Sequence, residues 1–292
     1  MLNGERGIPN ILVVLDRSGS MGDDNKWRDA VAAIKNVTSN LENGVAFGLL
    51  TYPSGGGTQS DSQCGAGNMD VSPATGSAGQ IANELDTSGG PGGRTPTAGA
   101  LDLARATLGG IQGASYVLLV TDGAPNCNPD LNPDTCTSST SGTRGGATSC
   151  LDDARSVASV AALAEVNIPT YVIGFDTGDW GPVLDAMASA GGTGLDAYFP
   201  VNDGASLEGT LSQLAGNAIS CSYTLDSTPA DYRYVEITLD GAPLPHTSQT
   251  NDGSGWELNG NRIDLKGATC EGLKSRDDAE LCISVQCELV LL

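Results

Sequence analysis

The sequence predicts a doubly wound α/β domain, a mostly parallel sheet with helices on both faces, followed by a small all-β module. Three observations carry this. Residues 11–15 and 116–120 are continuous apolar runs of strand length that end in polar turns, as strands buried on both faces do. Helical spacing alternates with such runs as far as about residue 220, the pattern of a parallel sheet covered on both sides. Beyond that point the pattern becomes strict alternation around Asp240-Gly241 and Asn259-Gly260, both hairpin signals.

The elements follow in order. After the strand at 11–15, Trp27, Val31, Ile34, Val37 and Leu41 recur at helical spacing, with Asp23 or Asp24 as the cap and Asn43-Gly44 as the stop. Residues 45–52 read as a second strand, 53–67 as a glycine- and serine-rich loop carrying Cys64, and 68–72 as a short edge strand. Helices are expected at 77–85 and at 96–108, where Ala100, Leu101, Ala104 and Leu108 face inward. The strand at 116–120 leads into a polar surface insertion, 124–146, tied down by Cys127 and Cys136. A helix at 149–166, a strand at 170–175, a helix at 182–190 and a strand at 197–201 follow. Leu207, Leu211, Leu214 and Ala218 mark a last helix. The expected division is 1–220 and 221–292, the second part being a disulfide-bonded, sandwich-like β module. Its strands carry Val235, Ile237 and Leu239, then Trp256 and Leu258 with Ile263 and Leu265, then Leu281, Ile283, Val285 and Cys287.

The chain has 292 residues and a formal net charge of −21, from 35 acidic and 14 basic side chains. That charge repels nucleic-acid phosphates and anionic membranes, so DNA and RNA are excluded as expected partners; its simplest effect is solubility. No apolar run approaches membrane-spanning length, so no direct membrane insertion is expected. The eight cysteines fall into two groups, Cys64, Cys127, Cys136 and Cys150, then Cys221, Cys270, Cys282 and Cys287. None has C-x-x-C spacing, which favours disulfides within each half over a zinc site. Cys282 and Cys287 point to opposite faces of one strand, so different partners are expected for them. The expected location is therefore secreted, periplasmic or cell-surface, with a leader removed or replaced ahead of Met1.

In an open parallel sheet, ligands bind beyond the carboxyl ends of the strands. Two such ends carry unusual chemistry: Asp16, Ser18 and Ser20 after the first strand, and Asp122 after the strand at 116–120. Alternate residues of an extended loop can aim at one point, and one carboxylate with two hydroxyls suits a hard cation that prefers oxygen and keeps some of its waters. Asp23 and Asp24 read as capping residues, and Asp130 and Asp134 as members of a solvated loop.

Asp16-x-Ser18-x-Ser20, Gly92-Gly93-Arg94-Thr95 and Thr121-Asp122-Gly123 together resemble, in order and context, the metal-ion-dependent adhesion site of von Willebrand factor type A domains. The resemblance covers roughly residues 8–220. It implies a sheet of about six strands, five parallel with one antiparallel edge strand. It also implies that Asp16, Ser18, Ser20, Thr95 and Asp122 hold Mg²⁺, with Ca²⁺ or Mn²⁺ as alternatives, directly or through water. Thr97 is the alternative to Thr95, which can also cap a helix that has Pro96 at its first position. The β module resembles C-terminal extensions of exported bacterial proteins of that family.

Enzymatic readings are weaker. Ser18 stands where an aspartyl-phosphate phosphotransferase commonly carries a second acid. The single histidine, His246, is remote in sequence from Ser18 and Ser20, and no phosphate-binding G-x-x-x-x-G-K-[ST] element occurs. The expected function is non-enzymatic: capture of a protein ligand through a cation bridging to its Asp or Glu carboxylate, with Arg17 and the loops around Cys64 and Cys127 setting specificity. The alternative is a structural or assembly subunit with a stabilising metal.

Overall fold

The computed structural model describes residues 5–6, 8–54, 62–139, 146–218, 221–225, 227–274 and 281–285. Strand β1 is Glu5–Arg6 and β2 is Asn10–Asp16, followed by helix α1 (Lys26–Leu41), β3 (Ala46–Tyr52) and β4 (Asn68–Ala74). Helices α2 (Ala78–Thr87) and α3 (Thr97–Leu108) lead to β5 (Ser115–Thr121), α4 (Asp153–Glu165), β6 (Thr170–Phe175), α5 (Gly181–Ala190), β7 (Phe199–Val201) and α6 (Gly204–Ala218). The central sheet has the order β4-β3-β2-β5-β6-β7. Five of these strands run parallel and β4 alone is antiparallel, at the edge beside β3.

Every residue of β2 and of β3 is buried, because both strands have neighbours on each side and helices over each face. Leu12, Val14, Leu50 and Tyr52 pack with Val117 and Leu119 against α3, α4 and α5. Ile11, Val13 and Leu15 alternate to the opposite face and are equally buried. Strand β4 shows the half-exposed pattern of an edge and tolerates Pro73 there. A β-carbon on Gly48 of β3 would stand 2.8 Å from the Pro73 ring. Gly48→Ala is therefore expected to destabilise the domain by about 1–3 kcal/mol, measured as a lower urea midpoint with an unchanged slope.

The helix cap and the helical stripe differ from expectation. Asp23 and Asp24 do not cap α1; Asp24 and Asn25 both adopt positive φ, and α1 begins at Lys26 without a side-chain cap. The buried face of α1 is Ala30, Ala33, Ile34, Val37 and Thr38, with Trp27, Val31 and Leu41 at its margins. Helix α4 starts at Asp153 rather than 149, because Ser149 belongs to a short turn and Cys150 is extended in a disulfide to Cys136. The insertion is not all surface: residues 124–128 are buried.

The cysteines pair within halves: Cys64 with Cys127, Cys136 with Cys150 and Cys221 with Cys270. Cys287, and with it the expected separation of partners for Cys282 and Cys287, lies outside the described residues.

The chain separates into two units, and the boundary corrects the division at 220. One unit is Pro9–Ala215; the other joins the N-terminal residues up to Ile8 with those from Gly216 onward. The physical reason is strand pairing, since β1 pairs antiparallel with β8 (Ser222–Thr224), Glu5 opposite Thr224. The β unit adds β9 (Val235–Leu239), β10 (Ala242–Pro243), β11 (Gly255–Asn259), β12 (Arg262–Lys266), helix α7 (Ala268–Lys274) and β13 (Leu281–Val285). Its sheets have the orders β1-β8-β12-β11 and β10-β9-β13. Tyr223, Val235, Ile237, Trp256, Ile263, Leu265 and Ile283 form its core beside Cys221. The two expected hairpins are present, β9–β10 around Asp240-Gly241 and β11–β12 around Asn259-Gly260.

Candidate functional site

At the carboxyl ends of β2, β5 and β6 a cleft of about 760 Å³ is lined by Ser18, Ser20, Lys26, Thr95, Asp122 and Asp176, among others. Four of the five expected ligand residues therefore meet at one cleft. The fifth, Asp16, is the last residue of β2, fully buried, and does not line the cleft. Its Oδ1 accepts the Ser18 amide at 2.7 Å, and its Oδ2 accepts the Thr121 hydroxyl at 2.6 Å. The Ser18 and Ser20 hydroxyls lie 3.2 Å apart, and Ser20 donates to Asp122 Oδ1 at 2.8 Å. A chain of hydrogen bonds thus runs from Ser18 through Ser20 to Asp122, while Ser18 is tied to Asp16 through its amide.

The loops are fixed by backbone contacts. Gly19 donates to the Gly93 carbonyl at 3.2 Å and Gly92 to the Arg17 carbonyl at 2.9 Å, joining the loop after β2 to the loop before α3. Gly93 has φ +85°, a left-handed conformation, and a β-carbon there would stand 2.8 Å from the Pro53 ring. The Thr95 amide donates to Asn126 Oδ1 and the Asn126 amide to the Thr95 carbonyl, both at 2.8 Å. Thr97, the alternative, does not line the cleft; its hydroxyl lies 3.4 Å from that of Tyr52.

Two carboxylates share this buried region, and the electrostatics show the strain of it. Burial first, and the charge of Asp122 second, push Asp16 from 3.8 up to about 7, although the bonds from Thr121 and Ser18 oppose the shift. The Tyr52 hydroxyl is driven well above its usual value by burial and by the Asp16 charge. Lys26 Nζ lies 2.9 Å from Asp122 Oδ2 in a buried ion pair. Burial works against its charge, but the bond to Asp122 and the Asp122 charge outweigh it, helped by Asp176 and Asp23, so its affinity for the proton is raised.

The donor set is consistent with a hard cation. Two carboxylates and three hydroxyls supply oxygen only, and one ammonium does not neutralise two carboxylates. The set differs from the carboxylate- and histidine-rich type, and no cluster of three or more His, Cys, Asp or Glu suited to a metal occurs among the described residues.

Three partners of the site were not singled out from sequence: Lys26, Thr121 as donor to Asp16, and Asn126 as a clamp on Thr95. Arg17, expected to help set specificity, donates to the carbonyls of Ser88 and Pro53 and braces two loops. Arg94 lines the cleft in its place, as do Gln63 beside Cys64, Ser138 and Ser139 of the insertion, and Trp180.

A six-stranded, mostly parallel sheet with Asp-x-Ser-x-Ser beyond its first long strand defines a class, the von Willebrand factor type A fold. The family model for the von Willebrand factor type A domain matches residues 10–213, and the chain belongs to that family. Among solved structures, the type V pili tip protein Mfa5 of Porphyromonas gingivalis is similar in its vWF domain, with TM-score 0.54 and 14% identity over 73% of this chain and 95% of that one. The pilus adhesin SpaC of Lactobacillus rhamnosus GG has TM-score 0.58 and 16% identity over 98% of this chain and 40% of that one. A von Willebrand factor type A protein of Catenulispora acidiphila has TM-score 0.52 and 15% identity over 96% of this chain and 58% of that one. The chain thus spans less than two thirds of the latter two. No curated protein matches it.

Proposed function

We propose that this protein is a surface or secreted adhesion domain that captures a protein ligand through a divalent cation. Asp16, Ser18, Ser20, Thr95 and Asp122 hold the ion, Mg²⁺ in the first place and Ca²⁺ or Mn²⁺ as alternatives. The carrying observation is the convergence of Ser18, Ser20, Thr95 and Asp122, an all-oxygen donor set, on one cleft at the open end of the sheet, with the buried Asp16 carboxylate bonded to Ser18 behind it. When bound, the ion supplies an incompletely neutralised positive charge to which a ligand Asp or Glu side chain can add in place of a water. The protein's own residues orient that exchange: Thr121 and the Ser18 amide fix Asp16, Asn126 fixes Thr95, and Gln63, Arg94 and Trp180 shape the mouth that selects the ligand.

The surface location is supported by the three disulfides among the described residues and by the pilus and adhesin proteins that share the fold. No described helix is long and apolar enough to cross a membrane. We assign the protein no catalytic step; His246 is stacked on Tyr232 at 4.0 Å and bonded to Ser248 within the β unit.

The test is capture of partners from the surface or surroundings of the source organism in Mg²⁺, in EDTA, and with Asp16→Ala in Mg²⁺. Capture is expected only in the first arm, and equal capture in all three would remove the reading. Melting curves in the same buffers separate it from an assembly subunit, for which Mg²⁺ would raise stability without altering capture.

A further inference from the structure

Lys26 opens α1, yet its side chain turns into the cleft and ends on a carboxylate of the expected ion site. It is 9% exposed, and the Asp122 side chain that it meets at 2.9 Å is 1% exposed. Asp122 is held from both sides, by Ser20 on Oδ1 and by Lys26 on Oδ2. The other charged groups that act on Lys26 are Asp176 and Asp23, both exposed and both acidic. Arg94, the other cationic residue lining the cleft, has no ion pair to Asp122 among the described residues.

We propose that Lys26 is a resident counter-ion of the site: its ammonium holds Asp122 in position before a divalent ion arrives and lowers the affinity with which that ion is then bound. The inference rests on the cation-site reading above. Its logic is electrostatic. A group of two carboxylates without a counter-charge would be costly to bury, and breaking one half of a buried pair leaves the other uncompensated. Lys26 relieves that cost in the ion-free state, which keeps the carboxylate in place. The same ammonium repels an incoming dication across a poorly screened distance and competes for one Asp122 oxygen. The site is then ordered in advance but selective for conditions in which divalent ions are abundant. A leucine or methionine in place of Lys26 would give a tighter ion site that is less stable when empty.

The experiment is calorimetric titration of Mg²⁺ alone into the full chain and into its Lys26→Met, Lys26→Gln and Lys26→Arg variants, with melting curves in EDTA. Lys26→Met and Lys26→Gln are expected to bind Mg²⁺ roughly tenfold tighter or more, to melt lower in EDTA, and to gain more from added Mg²⁺ than the parent. Lys26→Arg, which keeps the charge, should stay near the parent in both measurements. Should Lys26→Met fold only when Mg²⁺ is present, the counter-ion role is supported directly; should it fail under all conditions, Lys26→Gln decides. Equal Mg²⁺ affinity for the parent and Lys26→Gln would overturn the inference while leaving the cation site standing. Absence of Mg²⁺ binding in the parent and every variant would instead remove the site itself.

Discussion

Asp16→Asn is expected to abolish Mg²⁺ binding and, in EDTA at about pH 8, to raise the melting temperature. Asp16 is fully buried, and burial together with the Asp122 charge lifts its carboxyl from 3.8 to about 7. A carboxyl whose folded value lies above its unfolded value favours folding when protonated. That contribution is complete below about pH 4 and is lost as the pH rises through about 7. In EDTA, stability from this group should therefore fall between about pH 4 and pH 7, by an amount on the order of a few kcal/mol. Asparagine, always neutral, removes that slope and with it the penalty at high pH. On the proposed reading Mg²⁺ would take the place of the proton, so the parent should release a proton on binding the ion below about pH 7, visible as a dependence of the binding heat on the buffer. The observation that would defeat this account is an Asp16→Asn variant with the same pH slope in EDTA as the parent.

The second large effect concerns the disulfide between Cys64 and Cys127, which closes a sequence separation of 63 residues and joins the loop after β3 to the loop after β5. Chain-entropy reasoning gives about 4 kcal/mol for a loop of this size. The paired substitution Cys64→Ser with Cys127→Ser should lower stability by about that amount in guanidinium unfolding. The effect should reach the site as well. Gln63 lines the cleft and its carbonyl accepts the Arg94 amide at 3.0 Å, so loosening Cys64 loosens the loop that carries Thr95. A weaker Mg²⁺ affinity is expected alongside the lower stability. A double variant that loses less than about 1 kcal/mol would mean that the loops are held by their own hydrogen bonds.

The parallel core was legible because its strands are buried on both faces, which leaves uninterrupted runs such as residues 11–15 that few other structures require. The spacing of Asp16, Ser18 and Ser20 was legible for a related reason: a strand end followed by alternate polar residues has a geometric meaning by itself. Lys26 was not. A lysine at the start of a helix is ordinarily solvated, and nothing local tells that the backbone reverses through Asp24 and Asn25 and sends this one inward. Asn126 was hidden in a run of polar loop residues, although it adjoins Cys127, which is bonded to Cys64 and is buried with Asn126 in the stretch 124–128. Arg17 was misjudged because its neighbours in sequence line the cleft, whereas its guanidinium reaches backwards to Ser88 and Pro53. Strand β1 is two residues long, too short for any periodicity to reveal.

That short strand bears on how the molecule is made. Glu5 and Arg6 precede the α/β unit in the chain, and their partners Thr224 and Tyr223 follow it. The long-range pairing is deferred while contacts internal to residues 9–215 can already form, so vectorial synthesis favours maturation of the α/β unit first. Its folding then draws the N-terminal strand and the emerging β8 out of a large loop, reducing the entropy cost of their closure. Until that closure, β8 lacks its β1 neighbour and presents an unpaired edge to other chains, which makes the addition of β1 a late safeguard against association.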